Sequence, residues 1–511
     1  MFKKILIANR GEIALRIMRT CRELGIATVA VYSDVDRNAL HVRYADEAYL
    51  LGPGPPLESY LNIPKVIQVA RDAKADAIHP GYGFLAENAD FVDACRKARR
   101  KFIGPSAKAM RLLGDKVSAR TLMRKADVPV VPGADEEVTP AQAAKIAKEI
   151  GFPVLIKAAA GGGGKGIRHV SEASELEAAV RIASSEAASA FGHGAVFVEK
   201  YLSPVRHVEV QVIADSKGNA VALGERECSI QRRHQKLIEE TPSIAVDPDL
   251  RERMLTAAVT AVKAAGYENA GTVEFLVDEN KNFYFLEVNT RIQVEHTVTE
   301  LVTGRDLVAD QILVAAGEKL PYGQEDIQPN GHAIECRISA EDPYNDFMPS
   351  LGRIDWVEEP SGPGVRVDSS IFSGAEVPYH YDPMLAKLIC WGPTREVAIR
   401  RMVRALQEYV VVGIQTNIPF HLQLLADERF AKGAFYTSFL DEEFEMDSPD
   451  GHPDERTALL VAAVLSHLKK RRPAAVGQAA SGGSGWRAAG KERLLGERTM
   501  AQRRGWRQRI G

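Results

Sequence analysis

The sequence predicts a multidomain fold of the α/β and α+β classes: an open parallel α/β domain first, and a largely antiparallel sheet later in the chain. Three observations carry this expectation. Residues up to about 110 alternate short apolar runs with amphipathic helical stretches. A glycine run lies between two strand-like segments, and several later segments alternate or run apolar between turn signals. The length of 511 residues also exceeds that of one ordinary domain.

Lys4 to Ala8 reads as a short buried strand, and Asn9-Arg10-Gly11 as a turn. A helix follows to about Leu24, with Ile13, Ile17, Cys21 and Leu24 on one face, and Thr28 to Tyr32 completes a βαβ unit. Ala75 to Ile78 is a further strand. His79-Pro80-Gly81-Tyr82-Gly83 is a loop before a helix starting at about Glu87. No Gly-x-Gly-x-x-Gly follows the first strand, which argues against a dinucleotide site. Val128-Pro129-Val130-Val131-Pro132-Gly133 is a breaker cluster and marks a boundary. A small unit then runs to about Tyr201, with strands Pro153 to Ala158, Ile167 to Val170 and Ala195 to Glu199 and a helix. Val208 to Ile213, Ala220 to Leu223, Thr272 to Val277 and Phe283 to Val288 read as an antiparallel sheet. A helix near Arg395 to Tyr409 completes a unit ending near Met446.

Composition narrows the classes. Apolar residues make up 45% and charged residues 26%, as in a soluble globular protein. The net charge is −3, but from Lys469 onward 12 Lys/Arg against 2 Glu give +10, leaving −13 for the rest. An acidic body with 7% aromatics argues against a nucleic-acid binder. Five dispersed cysteines without a Cys-x-x-Cys pair fit a reducing cytoplasm. The apolar run after Lys4 is too short for a signal segment, and Leu459 to Leu465 is too short to span a bilayer, so no membrane role is expected.

Ala160-Gly161-Gly162-Gly163-Gly164-Lys165-Gly166 is not a Walker A loop: no Ser or Thr follows the lysine, and both flanks are strands. Backbone N–H groups of such a flap can close on phosphates, with Lys157 adding charge; a plain mobile hairpin tip is the other reading. At Thr272 to Asn289, the turn Asp278 to Asn282 separates two strands. With the hairpin centred between Asn280 and Lys281, Glu274 faces Glu287, at a Cβ separation of about 4.5–5.5 Å. Two carboxylates so close repel. A dication resolves the conflict, and Asn289 on the same face completes an oxygen set suited to Mg²⁺ or Mn²⁺. A solvated face bearing two glutamates is the alternative. Arg291, Gln293 and Glu295 continue the alternation: an anion-binding guanidinium, an amide and a carboxylate able to take a proton, a set that suits bicarbonate. The charged cluster Glu225 to Lys236, with Arg206 to Glu209, reads either as a polar surface or as an anion-lined cleft. Its His and Cys lack metal-ligand spacing.

Three stretches bring these pieces together: Ile7-Ala8-Asn9-Arg10-Gly11-Glu12-Ile13-Ala14, His79 to Asn88, and Phe285-Leu286-Glu287-Val288-Asn289-Thr290-Arg291-Ile292-Gln293-Val294-Glu295-His296. In these, and over residues 1 to about 446, the chain resembles the biotin carboxylase family of ATP-grasp enzymes. The resemblance implies an N-terminal domain over 1–114, a linker and ATP-grasp lid over 115–203, the catalytic core and C-terminal domain over 204–446, and a basic tail over 447–511. It implies ATP contacts from Lys116, Lys157, Gly162, Gly163, Gly164, His207, Gln231, His234 and Leu276, and an adenine hinge at Glu199, Lys200, Tyr201 and Leu202. It implies divalent ions on Glu274, Glu287 and Asn289, and bicarbonate on Lys236, Arg291, Gln293 and Val294. Glu295 is then the general base, Arg337 faces the biotin ureido oxygen, and Tyr82 and Gly83 lie near biotin. The family often has Met where this chain has Ile167.

The activity so implied is MgATP-dependent carboxylation of biotin by bicarbonate, through carboxyphosphate. No Ala-Met-Lys-Met-like biotinylation site occurs, so a separate biotin carboxyl carrier protein and carboxyltransferase subunits are expected, with homodimerisation expected from the family. The tail around Ser484 to Gly490 resembles the segment after this domain in acyl-CoA carboxylase α chains; it reads either as partner-docking or as a disordered extension. Another ATP-grasp ligase and a catalytically silent assembly subunit are the rival readings. The bicarbonate set with Arg337 argues against a carboxylate–amine ligase, and the absence of a glutaminase region or a second ATP-grasp copy argues against a carbamoyl-phosphate-type synthetase. The intact set of polar site residues disfavours the silent subunit.

Overall fold

The apolar N-terminal run is a buried strand, β1 (Lys4–Ile7), joined by the helix Gly11–Glu23 to β2 (Ala27–Ser33). With β3 (Glu47–Gly52), β4 (Ala77–His79) and β5 (Lys101–Phe102) they form a parallel sheet of order β3-β2-β1-β4-β5. The chain reverses direction of travel across the sheet between β1 and β4. In open α/β sheets the crevice beyond the carboxyl ends at such a switch point is where ligands bind. Asn9 to Gly11 leaves β1 there, and Pro80 to Gly83 leaves β4. Asn9 Nδ2 ties the two turns by donating to the Pro80 and Tyr82 carbonyls, both at 2.7 Å. Gly81 has φ +63°, and a Cβ there would come within 2.9 Å of that amide nitrogen, so the close approach requires glycine. The helix expected from about Glu87 begins at Ala89, capped by Asn88, whose side chain accepts from Phe91 N.

The computed structural model describes residues 1–134, 138–158, 167–191 and 194–447, with Leu460, Val461 and Val464 beyond. Residues 1–446 form one compact unit and 447–511 a second. Gly162, Gly163, Gly164 and most of the tail lie outside the described residues. The small unit contains β6 (Val154–Ala158), β7 (Ile167–Val170) and β8 (Val196–Lys200), in the antiparallel order β7-β6-β8.

The remainder centres on an eight-stranded antiparallel sheet. Its strands are β9 (Val205–Ala214), β10 (Ala220–Arg232), β11 (Gln235–Thr241), β12 (Asn269–Asp278), β13 (Phe283–Asn289), β14 (His332–Ser339), and the strands Val365–Ser369 and Met384–Gly392. β13, β12, β9, β10, β11 and β14 are neighbours in that order. Side chains alternate faces along a strand. Val208, Val210, Val212, Val273, Phe275, Val277, Phe283 and Phe285 all join the apolar core that holds the helices Lys116–Lys125 and Pro248–Ala264. The opposite face of the same strands carries His207, Glu209, Gln211, Thr272 and Glu274, paired across β9 and β12. One face anchors the sheet, and the other is left to chemistry.

Two sequence expectations change here. The strand expected at Ala220 to Leu223 continues to Arg232. Glu225, Arg226 and Glu227 are at most 2% exposed, so this end of the charged cluster is not a polar surface, whereas Arg233, His234 and Gln235 at its other end are exposed. The hairpin register also differs. Near the turn Val277 pairs with Phe283 and Phe275 with Phe285, one residue off the expected register; a bulge between Glu274 and Phe275 then restores Glu274 opposite Glu287. Strict alternation would place Phe283, Phe285 and Glu287 on one face. The extra residue, Leu286, turns Glu287 and Asn289 away from the phenylalanines, a re-aiming that bulges commonly perform.

Candidate active site

Beyond the switch point lies a cleft of about 840 Å³. Its walls include Tyr82 and Gly83 from the first domain, His207, Lys236, Glu274, Glu287 and Asn289 from the sheet, and Arg291, Gln293, Val294 and Glu295 from the segment after β13. Arg337 of β14 and His234 also line it. His234 and Arg233 form the two-residue turn between β10 and β11, both with positive φ as a tight hairpin turn demands.

Lys236 is the hub. Its ammonium bonds Glu209 at 2.6 Å, Glu295 at 2.7 Å and Glu274 at 2.9 Å. Burial opposes its charge, but these three carboxylates hold its pKa well above the usual lysine value. Burial likewise pushes Glu295 upward, yet Lys236, Arg337 and Arg226 hold it well below the ordinary carboxylate range. Arg337 reaches Glu295 Oε2 at 3.0 Å. Glu274 Oε1 also accepts from Asn289 Nδ2 at 2.8 Å and Gln293 Nε2 at 2.9 Å, and its other oxygen lies 3.1 Å from His207 Nε2. Arg291 donates to Glu87 at 2.9 Å and to Asn289 Oδ1 at 3.0 Å. Lys387 donates to the Val294 carbonyl at 2.9 Å.

Glu287 differs from its partner. It has no hydrogen bond or ion pair among the described residues, and burial together with the facing Glu274 raises its pKa, which Lys116 only partly offsets. The pair is thus split: Glu274 is held ionised by Lys236 and His207 against its burial, while Glu287 carries the unrelieved repulsion. Oxygen donors from Glu274, Glu287 and Asn289 fit a hard divalent cation, which would remove that repulsion. His207, Glu209 and Glu274 also converge within 4.8 Å, a grouping hidden by sequence spacing because it crosses strands; Lys236 bonds both of its glutamates.

The remaining expected residues stand off the cleft walls. Lys116 begins the helix Lys116–Lys125, its pKa lowered by burial and by Lys157. Lys157 and Arg120 both pair with buried Glu199, so that side chain is occupied, and its backbone lies between Leu155 of β6 and Gly133. Lys200 donates to the Gly151 and Phe152 carbonyls at 3.0 and 2.9 Å, bracing the small unit. Leu202 is half-buried beyond β8, Gln231 pairs with Lys236 in the β10–β11 ladder, and Leu276 pairs with His207 on the cleft-facing side of β12.

Sequence reasoning assigned no role to Arg226. This fully buried guanidinium donates to Glu209 at 2.5 Å, Gln211 at 2.7 Å, Gln293 at 2.9 Å, Thr299 at 3.0 Å and Thr272 at 3.1 Å. It fixes Gln293 and Glu209, and through Glu209 also Lys236. Removing one partner of a buried pair leaves an uncompensated charge, so Arg226→Ala is expected to cost about 3–5 kcal/mol of stability. Chemical denaturation checks this; a loss under about 1 kcal/mol would show that the network is not structural.

Residues 1–110 match the family model described as biotin carboxylase, N-terminal domain, and 335–442 match the biotin carboxylase C-terminal domain. Residues 115–322 match the carbamoyl-phosphate synthase L chain, ATP binding domain. Biotin carboxylase 1 of Bacillus subtilis is 56% identical over 443 residues, covering 86% of this chain and 98% of that protein. A biotin carboxylase–βγ-ATP complex from Campylobacter jejuni superposes with a TM-score of 0.85 at 50% identity, covering 87% of this chain and 99% of that one. The biotin carboxylase domain dimer of Hydrogenobacter thermophilus 2-oxoglutarate carboxylase, in complex with MgADP, ADP and bicarbonate, gives a TM-score of 0.84 at 50% identity over 86% of this chain and 98% of that one. With its fold, its cleft and these matches in agreement, the chain belongs to the biotin carboxylase family.

Proposed function

We propose that this chain carboxylates biotin held on a separate carrier protein, using MgATP and bicarbonate, as the first half-reaction of an acyl-CoA, pyruvate or related carboxylase. The observation that carries this reading is Lys236 and Arg337 meeting on Glu295 next to the Glu274–Glu287 pair. A small anion with an ionisable proton can replace Glu295 as a partner of both cations. The base is ionised and buried, and its two cations depress its basicity. Sharing them with bicarbonate frees it to take the bicarbonate proton. The bicarbonate oxygen then attacks the γ-phosphorus, the bond to the bridging oxygen breaks, and ADP leaves with carboxyphosphate formed. Carboxyphosphate splits to CO₂ and phosphate, and the phosphate takes the N1′ proton of biotin. Arg337 stabilises the resulting ureido oxyanion while N1′ captures CO₂. A divalent ion on Glu274, Glu287 and Asn289 would neutralise phosphate charge.

Arg291 and Gln293, fixed by Glu87 and Arg226, orient the anion. Lys116, Lys157, His207, Gln231, His234 and Leu276, the backbone of Glu199 to Leu202, and the glycine run are assigned to the nucleotide. Tyr82 and Gly83 are assigned to the biotin end. We assign the carrier and the carboxyltransferase to partner subunits, pairing to a second copy of this chain, and the reaction to the cytoplasm; all five cysteines are free and buried. No helix among the described residues is long and apolar enough to cross a membrane.

Bicarbonate-dependent ATP cleavage stimulated by free biotin tests the reading. Arg337→Ala is expected to lower kcat/KM for biotin about 10²-fold or more. ATP cleavage unaffected by biotin in the wild type would contradict the assignment.

A further inference from the structure

A second set of opposed carboxylates lies beside the cleft. Glu239 on β11 and Glu335 on β14 are register partners, and neither is exposed. Side chains so placed hold their Cβ atoms about 4.5–5.5 Å apart, where like charges repel. The neighbouring cations do not neutralise both. Arg337 Nε donates to Glu239 Oε1 at 2.7 Å, and the same guanidinium is shared with Glu295. Lys387 is committed to the Val294 carbonyl and lies 3.5 Å from Glu12. Glu335 Oε2 accepts from the Thr297 hydroxyl. Glu239 Oε2 and Glu335 Oε1 remain, both buried and without a hydrogen-bond partner. Such orphaned acceptors are rare in folded proteins. One proton gives each a partner, because a neutral carboxyl can donate to a facing carboxylate.

We propose that Glu239 and Glu335 hold a single proton between them and together act as positioning residues for Arg337. Glu239 keeps the charge and holds the guanidinium at both Nε and Nη2, and Nη2 is shared with Glu295. Glu335 is the neutral partner that leaves that charge unopposed. The inference rests on the role given to Arg337 above. Burial raises both carboxyls, Glu239 to about 8 against Arg337 and Glu335 to about 7 against Lys387, so the pair keeps a proton at neutral pH. Facing carboxyls titrate as a pair, and the Arg337 contact on Glu239 Oε1, not the order of these two values, is what places the charge on Glu239. The titratable groups facing the pair are Arg337, Lys387, Glu295 and the thiols of Cys228 and Cys336. As pH rises the pair loses its proton, two ionised carboxylates compete for Arg337, and biotin turnover falls.

The test is the pH dependence of kcat/KM for free biotin in the wild type, Glu335→Gln and Glu239→Gln, together with infrared detection of protonated carboxyl groups. Glu335→Gln cannot ionise and can donate from its amide, so the alkaline limb is expected to move up by about one pH unit or more. A protonated-carboxyl band present in the wild type at neutral pH is expected to disappear in that variant. Glu239→Gln is expected to lower kcat/KM for biotin about tenfold while KM for ATP stays within about twofold. Glu239→Asp, which keeps the charge, is expected to recover part of that loss; equal loss in both variants overturns the orienting role. A Glu335→Gln profile superimposed on the wild type, or an unchanged infrared band, overturns the shared proton. Arg337→Ala separates the two readings. Wild-type biotin kinetics in that variant would refute the Arg337 role itself, whereas an inactive Arg337→Ala beside a superimposed Glu335→Gln profile refutes only the pair.

Discussion

Glu295→Ala is expected to abolish biotin carboxylation, a fall of about 10²- to 10⁴-fold in turnover, with the fold retained. The size follows from the loss of the base placed among the cations that would hold bicarbonate. The retained fold follows from the partners left behind. Lys236 keeps Glu209 and Glu274, and Arg337 keeps Glu239. No buried cation is stranded, so the penalty of an unpaired interior charge does not arise. Melting separates the two effects: an unchanged melting temperature with lost turnover assigns the role to chemistry. Near-wild-type turnover would refute the base assignment.

Glu287→Gln is expected to move stability and activity in opposite directions. Without metal, the glutamate is held above the ordinary carboxylate pKa by burial and by Glu274. Its protonated form is therefore favoured in the folded chain. That stabilisation is complete below the ordinary carboxylate value and is lost as pH rises through the raised one. Glutamine never ionises, so the metal-free variant is expected to lose this pH dependence and to melt no lower than the wild type at neutral pH. Mg²⁺-dependent ATP cleavage is expected to fall about 10²-fold or more, since a ligand's charge at the phosphates is worth several kcal/mol. A variant that loses stability and activity together would show Glu287 to be structural.

The first domain was legible in the sequence because its signals are local. Apolar runs at Lys4 to Ala8 and Thr28 to Tyr32 flank a helix with one apolar face, and such a unit has one right-handed way to close. The Glu274–Glu287 meeting was legible only in part. A hairpin brings the strands together, but the bulge at Leu286 depends on how Phe283, Phe285 and Val288 pack against the helices behind the sheet. Packing decides that outcome, and alternation along the strand does not show it. Composition left Glu225 to Lys236 open between a polar surface and an anion-lined cleft, since charge usually signals solvent. Here Arg226 is buried because five acceptors from four other segments meet it. Glu239 and Glu335 are adjacent only because β11 and β14 pair across some ninety residues of intervening chain, a contact that no local pattern encodes.

A structure of the chain with Mn²⁺ and a non-hydrolysable ATP analogue, read by the anomalous scattering of the manganese, tests the central claim most directly. The account predicts an ion bound by both Glu274 and Glu287 at about 2.1 Å and bound as well to the terminal phosphates. Manganese held by only one of these carboxylates, or phosphates seated elsewhere in the cleft, would contradict it.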